Sequence, residues 1–370
     1  MKTRRFVMGF TIAVFFLMVL FPLWGNLLPQ PREESLDENR EMTELSSSGT
    51  MKERIKNAEE YLDDHLAFRE SAISLALRTD LDLGESPVSM VLSGFDGWLF
   101  YLEGEEDFRR GTGLDDDMIR ELYDMQQTAT DTFKASGVDY RILVAPDKHS
   151  VYPEYLPINK RLGNGPWELD QMMTSPGPEY SVRFLDPRSA LLEAARSGPQ
   201  QYYKTDSHWN SAGAWTVYQA MMDQLIAEHP TLHRLSEDEI VHSQITTSGD
   251  LAAMIGQKDL RVDHCENITV KEFKSHEDPD AGDSVMDVFV NESLPDAPKI
   301  LLIKDSFGPA LIPFLRESAS KLYVMSNEAP SFAALGDLSR FDIVIMEVVE
   351  RNRFWLWSGI GSDEEEYEEE

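Results

Sequence analysis

The chain has 370 residues and a formal net charge of −32, from 66 acidic and 34 basic side chains. This length accommodates one large domain, or one domain with an accessory piece. Nucleic-acid binding needs basic patches that displace counterions from phosphates, so the acidic composition argues against nucleic acid as a partner. The single cysteine, Cys265, has no intramolecular partner, so the fold has to rely on its core.

The first 28 residues predict a membrane anchor. Lys2, Arg4 and Arg5 precede an apolar run of 19 residues from Phe6 to Trp24, close to the roughly 20 residues that span a bilayer. No small-residue cleavage site follows the run, which favours an uncleaved signal anchor over a removed signal peptide. Basic residues before the span predict a cytoplasmic N-terminus, and therefore a single-pass membrane protein whose catalytic domain is extracytoplasmic.

Three further segments follow the predicted anchor (1–28). We expect a polar linker at 29–50, a catalytic domain at 51–355 and an acidic, disordered tail at 356–370. Two sequons, at Asn267 and Asn291, are potential glycosylation sites.

Hydrophobic periodicity predicts alternating helices and strands. Helices are expected at 51–77 and 115–135, with a short strand at 97–101 and a buried strand at 142–145. Later in the chain, nearly continuous apolar runs at 299–306, 321–326 and 341–350 are typical of parallel strands buried on both faces, and a short helix follows the first of them. Weaker periodicity at 236–298 predicts irregular structure with short strands. The pattern indicates an α/β fold.

Residues 205–213, TDSHWNSAG, place an acid and a histidine two positions apart before a helical run. Histidine can accept the proton of a hydroxyl near neutral pH, and a carboxylate can hold its other ring nitrogen. We therefore interpret His208 as a general base and Asp206 as the group that orients it. Asn210 or Ser207 is predicted to cap the helix, and the alternative is that the whole motif is only a helix cap.

Ser306 is the candidate nucleophile. It ends the apolar run KILLIKDS, and Gly308 permits a tight turn behind it. Such a strand-to-helix turn exposes a serine hydroxyl near backbone amides that stabilise an oxyanion. The alternative is that Ser306 simply caps the following helix.

Other chemistries lack support in the sequence. The adjacent side chains of Asp263, His264 and Cys265 cannot all converge, and a metal site would want further ligands. No phosphate-binding glycine loop or dinucleotide fingerprint is present in the sequence. We therefore predict neither a metal nor a cofactor.

Eight sequence blocks, in order from residue 38 to residue 352, resemble a known family. Together they are similar to the SGNH-hydrolase-like domain of alginate O-acetyltransferase proteins of the AlgJ and AlgX type, and to the related DHHW proteins. The blocks are ENR (38–40), DDHLAFRE (63–70), GFDGWLFY (94–101), VAPDKHSVYPEYLP (144–157), TDSHWNSAGA (205–214), SGDLA (248–252), KDSFG (304–308) and VVERN (348–352). The fifth and seventh blocks together are the most specific.

This resemblance implies an SGNH-hydrolase-like α/β/α sandwich with a mostly parallel sheet, preceded here by the N-terminal transmembrane helix. It assigns Ser306 as nucleophile, His208 as base and Asp206 as the orienting acid, with the serine late in the chain. It also implies extracytoplasmic O-acetylation of a polysaccharide, with acetyl groups supplied by a membrane-bound O-acyltransferase.

Three further residues are candidates for oxyanion or substrate contact. Gly249 could offer a loop amide, although an ordinary turn explains it equally well. Lys148 and Arg351 lie at predicted strand ends in family-like blocks, where they could contact a sugar or form structural salt bridges. Lys304 departs from the glycine of the wider GDS motif, and no carbohydrate-binding module is expected after Val349.

The sequence therefore predicts a membrane-anchored O-acetyltransferase that acts on a cell-surface or secreted polysaccharide through an acetyl-Ser306 intermediate. Two alternatives stay open. A carbohydrate O-acetylesterase would use the same residues with water as acceptor, and a non-catalytic glycan-binding or scaffold protein would use them only structurally.

Overall fold

A computed structural model describes residues 45–46, 50–64, 90–102, 114–158, 168–278, 286–327, 331–358 and 360. The predicted anchor at 1–28, most of the linker at 29–50 and nearly all of the tail lie outside these residues. Within the described part of the chain, no helix is both long enough and apolar enough to cross a bilayer.

Most of the strands belong to one central sheet. The strands are β1 (Val91–Ser93), β2 (Leu99–Tyr101), β3 (Asp139–Ala145), β4 (Phe184–Leu185), β5 (Ile240–Thr247), β6 (Asp263–Val270), β7 (His276–Glu277), β8 (Asp287–Val290), β9 (Lys299–Lys304), β10 (Lys321–Ser326) and β11 (Ile343–Val349). The central sheet has seven strands in the order β4-β3-β11-β9-β10-β8-β7, while β1 pairs with β2 and β5 pairs with β6.

The sheet is mixed, which corrects the prediction of a mostly parallel one. Strands β4, β3, β11, β9 and β10 pair in parallel, whereas β8 and β7 add two antiparallel pairings at the β10 edge. The parallel strands were predictable because β11 is buried at every position and β9 along most of its length. Strand β8 is short and partly exposed, so its sequence carries no comparable signal.

Helices cover both faces of the sheet. The helices of the described residues are α1 (Met51–Asp64), α2 (Asp116–Ala135), α3 (Lys148–Val151), α4 (Glu168–Met172), α5 (Arg188–Ser197), α6 (Ser211–Leu225), α7 (Asp250–Met254), α8 (Ile312–Leu315), α9 (Phe332–Leu335) and α10 (Trp355–Ser358). One apolar core packs α5 and α6 against alternate sheet residues such as Leu302 and Ile345. The other packs α2 against the opposite residues, such as Leu301 and Val344. The architecture is an α/β/α sandwich, so the predicted α/β fold is confirmed.

Several predicted elements differ from the structure in extent. The predicted helix at 51–77 is described only as α1, and its remainder lies outside the described residues. The predicted irregular segment at 236–298 contains the eight-residue ribbon of β5 and β6. Strand β5 is mostly exposed and polar, so it lacks the apolar alternation that identifies a strand. Helix α10 extends into the predicted tail, where Leu356 is fully buried.

The two sequons differ in their surroundings. Asn291 is 2 % exposed, and its Oδ1 accepts hydrogen bonds from Ser293 N and Oγ at 3.1 and 2.5 Å. Glycosylation there would require this part of the fold to open. Asn267 is half-buried on β6, where its Oδ1 accepts from Ser211 Oγ at 3.1 Å.

Asn210 fixes the start of α6, which gives the first prediction. Its Oδ1 accepts from Gly213 N at 2.9 Å and its Nδ2 donates to Gln200 O at 2.6 Å. Asn210→Ala should therefore destabilise the protein by about 1–2 kcal/mol or more, since both bonds are lost and the site is buried. Thermal unfolding followed by circular dichroism should show a Tm lower by roughly 2–4 °C for each kcal/mol.

Asp115→Ala is the matched control. Asp115 caps α2 through a single bond to Met118 N at 2.8 Å and is exposed, so the loss should be smaller. An Asn210 variant that melts no lower than the Asp115 variant would contradict the double anchoring of α6.

Candidate functional site

The acid–base loop, residues 205–208, is fixed at both ends. Tyr202 forms an antiparallel bridge with Trp209, and Asn210 N donates to Gln201 O at 3.0 Å. Thr205, which precedes Asp206 in the chain, donates to the Asp263 carboxylate from its N at 3.0 Å and from its Oγ1 at 2.5 Å. These bonds leave Asp206, Ser207 and His208 little freedom.

The structure brings Asp206 and His208 together as predicted. Asp206 Oδ1 accepts from His208 Nδ1 at 2.7 Å and from His208 N at 3.0 Å. Its Oδ2 accepts from Asp250 N at 3.1 Å. Because Asp206 accepts a hydrogen bond from Nδ1–H, the ring is assigned the tautomer in which Nε2 is a proton acceptor.

Asp206 is suited to hold its charge in this position. Burial by itself raises the pKa of a carboxyl group, but the hydrogen bonds from His208 and from the amide of Asp250 lower the pKa of Asp206 below its usual range. An ionised Asp206 both orients the imidazole and stabilises the imidazolium that forms when His208 takes up a proton.

Asp250 completes the acidic environment of the pair. Its Oδ2 accepts from Ser207 Oγ at 2.5 Å and lies 3.8 Å from His208 Nδ1. Oxygen and nitrogen atoms of Asp206, His208 and Asp250 lie within 4.8 Å of one another. Three such atoms are capable of metal ligation, but Asp206 and His208 already bond each other.

Ser306 lies exposed in the turn that follows β9. The preceding Asp305 shapes this turn, since its Oδ1 accepts from Phe307 N at 2.8 Å and its Oδ2 from Val349 N at 2.6 Å. The carboxylate thereby joins this turn, residues 305–308 (the serine turn), to the carboxyl end of β11. The turn then leads into short helical segments at 308–310 and 312–315, as the sequence predicted.

A second carboxyl group supports the turn from beneath. Glu347 is fully buried in the middle of β11, and its Oε2 accepts from Asp305 N at 3.0 Å. A Cβ on Gly308 would lie 2.3 Å from the Cβ of Lys304 and 3.1 Å from Glu347 Oε2. Only glycine fits there without displacement of the turn.

The acid–base loop and the serine turn meet at Phe307. The His208 ring packs against the Phe307 ring with centroids 4.7 Å apart, and Trp209 Nε1 donates to Phe307 O at 3.1 Å. His208 Nε2 is buried and has no hydrogen-bond partner among the described residues. The base therefore lies beside the residue that follows Ser306, although no hydrogen bond joins His208 Nε2 to Ser306 in this structure. Catalytic hydrogen bonds of free enzymes are often long and tighten only with bound substrate.

Lys148 lies beneath the acid–base loop and is only 3 % exposed. Its Nζ donates to the carbonyls of Tyr203, Lys204 and Asp206 at 2.9, 3.3 and 2.5 Å. Burial lowers the pKa of Lys148 to about 7; the charges of the neighbouring aspartates 206, 250 and 263 oppose that shift, and that of Arg351 adds to it. Contact between Lys148 and a sugar would require the loop to open.

The other two candidates are also engaged in the fold. Gly249 N donates to Thr205 Oγ1 at 3.0 Å, and a Cβ on Gly249 would lie 2.2 Å from the Cβ of Asp206. As an oxyanion donor, Gly249 would have to give up this bond. Arg351 forms an ion pair with Asp147, and its guanidinium carbon lies 5.2 Å from the centroid of the Phe307 ring.

The adjacent Asp263, His264 and Cys265 do not form a common site. They alternate along β6, where Asp263 and Cys265 are buried and His264 is exposed and bonds Thr246. The carboxylate of Asp263 instead accepts from Lys204 N at 2.6 Å as well as from Thr205.

The sequence did not identify four residues that shape the site: Asp250, Asp305, Phe307 and Glu347. Glu347 did carry a signal, since it is the single acid inside the apolar run IVIMEVV. A buried carboxyl group in a central strand usually has a specific partner. The roles of the other three depend on contacts between distant segments.

Comparisons with known proteins place the described domain in context. A family model for the SGNH hydrolase-like domain of acetyltransferase AlgX matches residues 91–333. The matched stretch contains Asp206, His208 and Ser306.

Two curated relatives are described as probable alginate O-acetylase AlgJ, from Pseudomonas putida and from Pseudomonas syringae pv. tomato. Each is 24 % identical to this chain, over 223 residues (60 % of this chain and 54 % of the relative) and 202 residues (54 % and 50 %), respectively. The chain thus spans about half the length of the curated relatives it matches.

Two solved structures share the fold at low identity. Bacillus cereus PatB1 with a sulfonyl adduct has a TM-score of 0.53 at 16 % identity, covering 71 % of this chain and 94 % of that one. A DHHW family protein from Eubacterium siraeum has a TM-score of 0.52 at 16 % identity, covering 74 % and 96 %. These matches confirm the resemblance predicted from the sequence blocks.

Glu347 gives a prediction for stability against pH. Burial raises the pKa of Glu347 well above its model-compound value of 4.5, and the charge of Asp305 raises it further. Above pH 4.5 the unfolded chain releases a proton that the folded protein retains, so the free energy of unfolding falls as pH rises until the folded group also ionises. The slope from this group is at most about 1.4 kcal/mol per pH unit.

Glu347→Gln removes the ionisation and keeps an oxygen that can accept from the amide of Asp305. The free energy of unfolding of the variant minus that of wild type should therefore increase from about pH 5 to pH 8. Urea unfolding measures both free energies. Glu292→Gln, at an exposed position, is the control and should follow the wild-type pH dependence. Parallel curves for wild type and the Glu347 variant would contradict a buried, protonated Glu347.

Proposed function

Because this chain belongs to the family of SGNH hydrolase-like acetyltransferase domains of the AlgX type, we propose that it O-acetylates a polysaccharide through an acetyl-Ser306 intermediate. The observation that carries the proposal is the oriented base: Asp206 holds His208 Nδ1 at 2.7 Å, and the imidazole packs against Phe307, the residue that follows Ser306.

In the acylation step, Ser306 Oγ attacks the carbonyl carbon of the donor's acetyl group. His208 Nε2 takes the hydroxyl proton as the new C–O bond forms, and Asp206 stabilises the resulting imidazolium. When the tetrahedral intermediate collapses, the bond to the donor's leaving group breaks, and that group departs with the proton from His208. The product is acetyl-Ser306, with His208 neutral again.

In the transfer step, a sugar hydroxyl gives its proton to His208 Nε2 and attacks the acetyl carbon. The bond to Ser306 Oγ then breaks, and the proton passes from His208 to Oγ. The enzyme is regenerated and the acetyl group has moved to the polysaccharide. Alginate is named as the substrate class of the curated relatives, which supports an acidic polysaccharide as the acceptor.

The serine turn has one main candidate for an oxyanion donor. Carboxylate oxygens accept from the amides of Asp305 and Phe307, and Gly308 lies against Glu347 Oε2, so the amide of Ser306 itself is the main candidate of the turn. Donors that are fixed before reaction stabilise the oxyanion most, because they need not reorganise when charge develops.

A carbohydrate O-acetylesterase is the second candidate function. Ser306 is exposed in the structure, which favours access of water to an acetylated serine. The two functions differ only in whether water or a sugar hydroxyl removes the acetyl group.

Our proposal for the cellular setting rests on the N-terminal sequence. Basic residues followed by the apolar run at 6–24 support a single-pass anchor with the catalytic domain outside the membrane. A cytoplasmic acetyl donor cannot reach such a site by itself, so a membrane-bound O-acyltransferase is the proposed supplier of acetyl groups. The polysaccharide acceptor is the second proposed partner, while the charge of −32 disfavours nucleic acid.

The acyl-enzyme is directly testable. The full chain, purified in detergent, is mixed with a chromogenic acetyl ester, and intact mass is followed in wild type and Ser306→Ala. Wild type should gain the mass of one acetyl group transiently, and the variant should gain none. Ester cleavage should fall by about 10⁴-fold or more in the variant, since the other groups cannot act without the nucleophile.

Ser326→Ala is the matched control, because Ser326 is an exposed serine at the end of the neighbouring strand β10. It should acylate like wild type. Addition of alginate oligosaccharides should shorten the life of the adduct and yield acetylated sugar if the protein is a transferase. An adduct that persists in Ser306→Ala, or that never forms in folded wild type, would contradict the mechanism.

A further inference from the structure

We propose that Lys148 is a positioning residue whose ammonium group holds the acid–base loop in the conformation that keeps Asp206 bonded to His208. This inference rests on the proposed function and assigns to Lys148 a role in the same site. It replaces direct contact with substrate, which the sequence left open for this residue, with support from beneath the loop.

The first observation is the match between donors and acceptors. A lysine ammonium has three N–H donors and no acceptor, and Lys148 takes this form below its pKa of about 7. Nζ of Lys148 faces three backbone carbonyls, those of Tyr203, Lys204 and Asp206, at 2.9, 3.3 and 2.5 Å. One side chain thus ties together the approach to the loop and the backbone of the orienting acid.

The second observation is that the ammonium group is confined. Lys148 begins α3, directly after the loop that follows β3, and it is 3 % exposed. The rings of Trp98 and Phe100 have centroids 5.8 and 5.6 Å from Nζ. A buried ammonium is costly unless hydrogen bonds replace its water, so the group is strongly held to the three carbonyls.

The third observation is that this contact holds the carbonyl of the orienting acid, Asp206. The carbonyl of Lys204 also accepts from Leu99 N at 2.8 Å, so it keeps a donor when Lys148 is removed. The Asp206 side chain bonds His208 and Asp250 N, while Lys148 holds the carbonyl of the same residue. Because the backbone carbonyl and the side chain of Asp206 are both bonded, the carboxylate is held at a defined distance from His208 Nδ1.

A misplacement of the order of 1 Å at a catalytic group can reduce a rate about 100-fold. Loss of the ammonium group should therefore lower turnover rather than substrate affinity. A residue that contacts the polysaccharide would mainly change KM for that acceptor, so the two roles differ in their kinetic signature.

The experiment compares full-length wild type, Lys148→Met and the matched control Lys204→Met. The Lys204 ammonium lies 5.7 Å from the centroid of the same Trp98 ring but donates to Asp96 O, and its side chain makes none of the three loop contacts. Two quantities are measured: the low-field proton resonance of His208 Nδ1 by NMR of histidine-labelled protein, and ester turnover as separate kcat and KM. Asp206→Asn identifies the resonance by its loss.

We expect the resonance in wild type and Lys204→Met, and its loss or broadening in a Lys148→Met variant that melts cooperatively. The same Lys148 variant should show kcat reduced by about 100-fold with little change in KM. An unchanged resonance together with unchanged kcat in the folded Lys148 variant would overturn the proposal, and so would a change confined to KM.

Two provisions keep the test decisive. If Lys148→Met does not fold, Lys148→Gln replaces it, because an amide is uncharged and its two donors leave at least one of the three carbonyls without a donor; a folded Gln variant identical to wild type in resonance and kcat would also overturn the proposal. If wild type forms no acetyl-enzyme, the proposed function fails, but the resonance still reports whether Lys148 holds the Asp206–His208 pair.

Discussion

The candidate site depends on the contacts that Phe307 makes with His208 and Trp209. Trp209 Nε1 reaches Phe307 O across 98 positions of sequence, and the His208 ring packs on the Phe307 ring. Because Phe307 directly follows Ser306, this contact brings the proposed base, from the middle of the chain, beside the turn that carries the proposed nucleophile. Any change that moves Phe307 would therefore separate the two halves of the site without altering either one.

Phe307 is itself placed by two carboxyl groups, of which Glu347 is fully buried and Asp305 is half-buried. Asp305 bonds the amide of Phe307 and the amide of Val349, while Glu347 bonds the amide of Asp305. These groups lie at the carboxyl ends of β9 and β11, where ligand sites of parallel sheets are usually found. Burial of ionisable groups is costly. Several ionisable groups that are removed from solvent at one edge of a sheet are typical of functional sites.

The same edge carries Lys148 and the ion pair of Asp147 with Arg351, 7 and 10 % exposed. These buried charges hold loops in place: Lys148 bonds backbone carbonyls of the acid–base loop and its approach, and Arg351 pairs with Asp147 of a neighbouring loop. A rigid frame of this kind is consistent with a site in which acid and base are bonded before substrate arrives. In such a site the serine has only to complete the last hydrogen bond, to His208 Nε2.

The sequence by itself determined those features that depend on nearby residues. Asp206 and His208 are two positions apart, which allows a local hydrogen bond. The cap of α6 follows from Asn210, and the apolar runs define β9, β10 and β11. Only the tertiary structure decided the mixed sheet, the β5–β6 ribbon, the support of the serine turn by Glu347 and the position of Lys148 beneath the acid–base loop. Lys148 and Glu347 contact residues 42–58 positions away in the chain. The physical reason is that local periodicity encodes which residues are buried, whereas the partner of a buried polar group is set by which distant segments the topology brings together.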